Sequence, residues 1–448
     1  MQHHPLTGEQ NEQLAAVEKS SSEQQSEESW NAYETNEVQL PVSVVVPPSH
    51  QRQPRRKQFV LITLTVSLLV VVSAFLVPIL LPQPITLIPP SQPVTVAKNV
   101  GRISFTSSGQ LDPNSSHGLN DVVHIDLGGL IPPAPAKSDY AWLLPDTSQN
   151  EQQPIFLGTL QLLGGSAQLT YTSPDHTNLL ATFSRFLVTE QAANEEPIIP
   201  SIDSATWRYA GSIADTPTPG DEKHYSLLSH LRHLLANDPT LKLIGLAGGL
   251  DIWLYRNAGK ILEWSSAARD DWAGGRSSLT LMRRLIDRVL DYLDGVNFVW
   301  QVVPPGTPFL VDPKAGHIGL LEFDQAQNPP GYLAHVDLHL MGLSNSPGAT
   351  ADQQRLANRI DAVLSTATSL MGKVHSDASL LARMSDTVLL APQALSLLND
   401  MYTNANDAFV GRLDPATGNV QGGITLIHDQ LQLLANFEVR AVSNKQRR

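Results

Sequence analysis

A chain of 448 residues, 16% of them charged and 42% hydrophobic, has the make-up of a globular protein with polar appendages, which excludes fibrous and wholly disordered classes. Its net charge of -13 argues against a nucleic-acid protein, because neutralising phosphates needs a clustered basic surface. It has no cysteine, so disulfides, thiolate zinc sites, iron–sulfur clusters and cysteine nucleophiles are excluded together, and the folded part has to hold by core burial alone.

Residues 1–57 open the chain with a polar tract, and up to position 50 it carries eight glutamates against the single Lys19. Low hydrophobicity with high charge predicts a disordered tail, whose short apolar islands at 14–17 and 44–46 are where a partner would fold it. Residues 59–81 then contain no charged side chain, a run long enough at about 1.5 Å per residue to predict a single transmembrane helix over 58–82. Arg52, Arg55, Arg56 and Lys57 precede it and no Lys or Arg follows between 83 and 97, so the positive-inside bias predicts a cytoplasmic N-terminus, with the basic group touching anionic lipid of the bilayer. Prolines at 82–93 predict an extended stalk over 83–100.

From residue 101 the period becomes two. Short runs rich in Val, Ile, Phe, Tyr and Thr, separated by Gly, Pro, Asn and Ser, predict a β-sandwich over 101–212, with the Gly164-Gly165 pair as its sharpest hairpin turn. A Pro/Gly linker at 213–223 follows, after which the period shifts to 3.6. Leucines at 227, 228, 231, 234 and 235 share one helical stripe ended by Asp238-Pro239, a second helix runs through Ile252 and Trp264, a third stops at Gly295, and further helices lie at 351–371 and beyond. Residues 298–325 predict a small β-hairpin inside this helical domain, 224–448, and 425–439 a terminal helix. The expected fold class is therefore a multidomain membrane protein: one transmembrane helix, an antiparallel β-sandwich, then a mainly α-helical bundle with a small hairpin.

The order GLIPPAPAKSDYAWLLPD, PIFLGTLQLLGGSAQLTY, LLATFSRFLVTEQAANEEPIIP resembles the extracytoplasmic domain of the anti-sigma-K factor family. The matching positions are Leu130, Pro132, Pro133, Pro135, Tyr140, Trp142, Leu143, Leu157, Gly158, Gly164, Val188, Thr189 and Glu190. One residue rather than two separates Tyr140 from Trp142, Ile131 is inserted before the prolines, and Glu190 directly follows Thr189. The resemblance implies a β-sandwich on a single-pass anchor and a regulator that binds a sigma factor inside the cell. It covers about residues 101–212, and the tail here lacks the His/Cys zinc signature that the family's cytoplasmic part often carries.

The densest group of metal-type side chains is YLAHVDLH, with His335, Asp337 and His339. On a helix the two histidines share a face at i, i+4; on a strand all three point one way, and either arrangement suits a borderline metal held by imidazole and carboxylate. The same alternation is also what a half-buried strand requires. His224, His230 and His233 are possible further ligands or the polar border of the leucine stripe, and His317, His375 and His428 are isolated. No nucleophile elbow, His-Glu-x-x-His or phosphate loop occurs, and Asp270-Asp271 with Glu263, beside Arg269 and Arg276, fits a solvated ion-pair face better than an acid and base pair. Glu322 and Asp324 fit solvent caps, and Trp142, Trp207, Trp253, Trp264, Trp272 and Trp300 fit core anchors rather than a ligand groove.

These features predict a binding or sensory protein without catalytic residues or cofactor, resembling anti-sigma regulators. It would lie in the cell membrane with its C-terminal mass in the bacterial envelope, its partners a cytoplasmic sigma factor or other regulator and an envelope protein or glycan. A structural envelope protein without signalling role and a metal-dependent envelope enzyme are the alternatives.

Overall fold

The first strand already shows how this fold is built: in β1 (Asn99–Thr106) the side chains of Val100, Ile103 and Phe105 are buried while their neighbours reach the surface. The structure is a computed structural model that describes residues 97–442 apart from 113, 149–151, 195, 276–277 and 325–326. Six strands follow, β2 (Val122–Leu127), β3 (Lys137–Pro145), β4 (Ile155–Thr159), β5 (Ala167–Thr172), β6 (Phe183–Ala192) and β7 (Trp207–Ser212).

Helices come next. They are α1 (Leu227–Leu235), α2 (Pro239–Leu243), α3 (Leu250–Ala273), α4 (Leu279–Asp294), α5 (Tyr332–Asn345), α6 (Ala351–Ala382), α7 (Asp386–Leu389) and α8 (Pro392–Phe409). A two-stranded ribbon, β8 (Gly411–Leu413) with β9 (Val420–Gly422), leads to α9 (Ile424–Gln432) and a last strand, β10 (Asn436–Ala441). Caps set the boundaries: Ser226 and Ser278 accept from the third residue of α1 and α4, and Thr350 with Gln353 forms a reciprocal capping box on α6. Gly295 ends α4 at φ +74°, donating its N–H to the Asp291 carbonyl at 3.0 Å.

The main sheet has eight strands in the order β4-β3-β6-β7-β10-β1-β2-β5, every neighbour antiparallel. Its two edges, β4 and β5, are consecutive in sequence. The Gly164-Gly165 turn joins them, with Leu163 and Ser166 exchanging backbone bonds of 2.8 and 3.1 Å and both glycines at positive φ. The sheet therefore curls into a nearly closed barrel. One continuous core runs from Ile103, Phe105 and Phe186 of the sheet into Leu231, Leu234 and Leu290 of the helices.

Several sequence expectations are corrected here. The anticipated fold class of an anchored sandwich followed by a separate bundle does not describe the chain: Val96–Arg448 is one compact unit with one curled sheet in place of two facing ones. The reason lies at the C-terminus, where Asn436–Ala441 inserts between β7 and β1 and makes the helical stretch an excursion within the sheet. No helix among the described residues is long and apolar enough to cross a membrane. The stretch 59–81, the tail 1–57, the basic residues Arg52, Arg55, Arg56 and Lys57 and nearly all of the expected stalk lie outside the described residues.

The helix expected over 425–439 stops at Gln432. Beyond it Phe437 and Val439 are buried while Glu438 and Arg440 are exposed, which is the period of a strand. The hairpin expected over 298–325 is a loop with one 3-10 turn, Val299–Gln301. Pro304, Pro305, Pro308 and Pro313 remove the donors that a ladder would need. The loop is tied down instead by Leu310 N–H donating to Asp291 Oδ2 at 2.7 Å and by Asn257 Nδ2 donating to the Ala315 carbonyl at 2.9 Å.

Candidate metal centre

Two helices and one loop bring four histidines and an aspartate together. On α1 the leucine stripe faces the core, which leaves His230 and His233, three residues apart, adjacent on the flank toward α5. On α5 His335 and His339 share one face at i, i+4, the helical alternative of the two geometries open from sequence. Asp238 caps α2: its Oδ1 accepts from Thr240 N at 2.8 Å, from Leu241 N at 3.2 Å and from the Thr240 hydroxyl. The cap fixes the carboxylate, so that Oδ2 turns to the histidines.

Around that single oxygen stand His233 Nδ1 at 4.0 Å, His335 Nε2 at 3.9 Å and His339 Nε2 at 3.9 Å. The donor atoms of His233, Asp238 and His339 all lie within 4.8 Å of one another. A tetrahedral ion with bonds of about 2.0–2.1 Å puts its ligands about 3.3 Å apart, so binding would draw donors up to 4.8 Å apart together by as much as about 1.5 Å. His233 Nδ1 is buried with no hydrogen-bond partner, the orphaned state that a coordinate bond would relieve.

Electrostatics suit the same role. Burial holds His230 and His233 down to about 4, with His335 adding to the effect on His233 and Asp238 opposing it. Burial likewise lowers His335, and lowers His339 further under repulsion from the imidazoles around it. All four rings are therefore neutral at pH 7 and keep a lone pair for a metal. Tyr225 packs its ring against those of His233 and His230, with centroids 4.7 and 5.5 Å away, and shields them from solvent.

Of the residues singled out in the run 332–339, the structure brings together His335 and His339 but not Asp337. Asp337 lies on another side of α5, paired with Asp361 of α6, and burial with this acidic neighbour pushes its carboxyl up to about 6. Its place is taken by Asp238, which in the sequence marks the end of the first helix, and by His233, one of the possible further ligands. An Asp-Pro pair at a helix start was the available signal, since such an aspartate has one oxygen committed to the cap and the other free to aim elsewhere.

The remaining candidates take structural roles. His428 bonds Asp251 at 2.7 Å between α9 and α3, and His375 meets Asp294 at 3.1 Å. Lys260–Glu263 and Arg269–Asp270 form the surface ion pairs expected of α3. Trp142, Trp253 and Trp272 are buried, and each indole N–H is satisfied internally. Ser108, His176 and Asp121 come together without forming a relay, because hydroxyl (3.3 Å) and carboxylate (2.7 Å) both approach the same ring nitrogen, Nδ1. Comparison of the chain with protein-family models, curated proteins and solved structures finds no match.

Proposed function

We propose that this is a metal-binding protein of sensory or structural role, in which His233, Asp238, His335 and His339 hold a divalent ion of the zinc class. The observation that carries the reading is the arrangement of three imidazole nitrogens at 3.9–4.0 Å around one oxygen of a carboxylate whose other oxygen is fixed by a helix cap. Imidazole with carboxylate selects a borderline cation over calcium or magnesium, which prefer all-oxygen shells. His233, Asp238 and His339 form the mutually close set and His335 stands 3.9 Å from Asp238 Oδ2; with His335 drawn in, four protein donors fill a tetrahedron, leave no position for a reacting water and suit binding rather than hydrolysis. The ion would clamp α1 to α5.

The resemblance of residues 101–212 to the anti-sigma-K family supports an extracytoplasmic regulator as the setting, with the centre as its sensing element and a sigma factor or other regulator as its partner. The test is metal content of the purified full chain after incubation with zinc and dialysis. One ion per chain, lost in the His233→Ala/His339→Ala double variant, is expected; a wild-type chain that retains no zinc sinks the proposal.

A further inference from the structure

His230 is the fourth histidine of the cluster, and its partner there is His339. Their Nδ1 atoms lie 2.9 Å apart, with ring centroids at 5.2 Å and planes at 64°. A nitrogen-to-nitrogen hydrogen bond needs one proton between two lone pairs, so one ring donates and the other accepts. Resting on the metal reading above, the direction is decided: an ion on His339 Nε2 takes that lone pair, His339 must then carry its proton on Nδ1, and His230 Nδ1 accepts it.

We infer that His230 is a positioning residue for the metal centre, fixing the tautomer and ring plane of His339 through this bond, and that Gly342 exists to seat it. Gly342 lies one helical turn beyond His339 on α5, and a Cβ built there overlaps Cε1 and Nε2 of the His230 ring. Any other residue at 342 pushes that ring off its place. The Tyr225 ring closes the other side of the seat, edge-on to His230 at 80°. Outer partners of this kind hold a metal-bound imidazole in the right tautomer, and their loss typically weakens binding 10–100-fold without removing a ligand.

The experiment compares zinc affinity of the full chain, by competition with a chromophoric chelator, in wild type, His230→Phe, His230→Gln and Gly342→Ala. His230→Phe keeps the ring but not the acceptor; its dissociation constant is expected to rise roughly 10–100-fold with one ion per chain still bound, and His230→Gln, which keeps an acceptor, to recover part of the loss. Gly342→Ala is expected to behave as His230→Phe does. In the zinc-loaded wild type the His339 Nδ1 proton should give a slowly exchanging NMR signal that is lost in His230→Phe, a readout that a merely packing role would leave unmoved. Zinc affinity of His230→Phe within twofold of wild type overturns the positioning role while leaving the metal reading intact. A wild-type chain that binds no zinc overturns both.

Discussion

Arg232 of α1 forks onto Asp146 beyond the end of β3, its two terminal nitrogens 2.6 and 2.9 Å from the two carboxylate oxygens, while its Nε donates to the Leu180 carbonyl at 2.9 Å. The same short helix thus grips the sheet with one face and presents His230 and His233 to α5 with another. A bidentate pair of this kind fixes orientation as well as distance, and here it sets where His230 and His233 stand relative to the barrel.

Truncating Arg232 to Ala removes the guanidinium from the nearly buried Asp146, which also accepts from the Ser184 hydroxyl at 2.6 Å. Losing one partner of a buried pair typically costs about 3 kcal/mol, so the midpoint of urea unfolding should drop with the transition remaining single. A shift below about 0.5 kcal/mol, the usual scale of surface substitutions, would show that the fork contributes nothing.

Asp238 caps α2 and, in the proposed centre, ligates the ion, and two substitutions separate these roles. Asp238→Asn retains an oxygen for the Thr240 and Leu241 amides but removes the charge, whereas Asp238→Ala removes both. Without metal the Asn variant is expected to melt close to wild type and the Ala variant to lose about 1 kcal/mol. Saturating zinc, at about a hundredfold excess over its dissociation constant, should stabilise wild type by about 2.7 kcal/mol and either variant far less. Equal zinc stabilisation of wild type and Asp238→Asn by calorimetry would remove the carboxylate from the site.

On α4 burial pushes Asp291 up to about 7, with Asp287 and Asp294 adding repulsion and the Leu310 N–H and Arg288 opposing it. Its unfolded value is about 3.9, so between these pH values the folded state binds more protons than the unfolded one and stability falls as pH rises. Asp291→Asn keeps an acceptor for Leu310 and removes this penalty. It should be more stable than wild type at pH 8 by on the order of 1 kcal/mol or more, and the gap should close toward pH 4. A variant equally or less stable at pH 8 would contradict the assignment of a buried, unfavourable charge.

Phe437 ties the last strand to the first, its ring 6.5 Å from that of Phe105, and it is buried between the sheet and the helices. Phe437→Ala should cost about 3–5 kcal/mol, and because β10 lies between β7 and β1 the sheet and helix signals in circular dichroism should be lost together. Two separated transitions would mean that sheet and helices fold as independent domains.

Much of the local structure was legible because it follows local rules. The leucine stripe of α1, the stop at Gly295 and the alternation of β1 are written in residue spacing, and so is the shared face of His335 and His339. The global arrangement was not, since nothing near Asn436–Ala441 tells that its partners are Asn99–Thr106 and residues 209–210, more than two hundred residues earlier. Leu431, Leu433 and Leu434 carried the helical period into that strand and masked it. The histidine cluster was legible only in part for a related reason: Asp337 was the carboxylate nearest in sequence, but a helix turns it away, and Asp238, about a hundred residues upstream, arrives through a cap. Proximity in sequence favoured Asp337, whereas the structure sets Asp238 beside the histidines.

Three imidazoles and the Asp238 carboxylate are proposed to share one ion. X-ray absorption at the zinc edge of the zinc-loaded full chain tests it most directly. The account requires a first shell of four nitrogen and oxygen scatterers at about 2.0–2.1 Å with the outer-shell pattern of about three imidazole rings, reduced by one ring in His335→Ala. A six-coordinate shell of longer bonds without imidazole scattering, or a spectrum unchanged by that substitution, would contradict it.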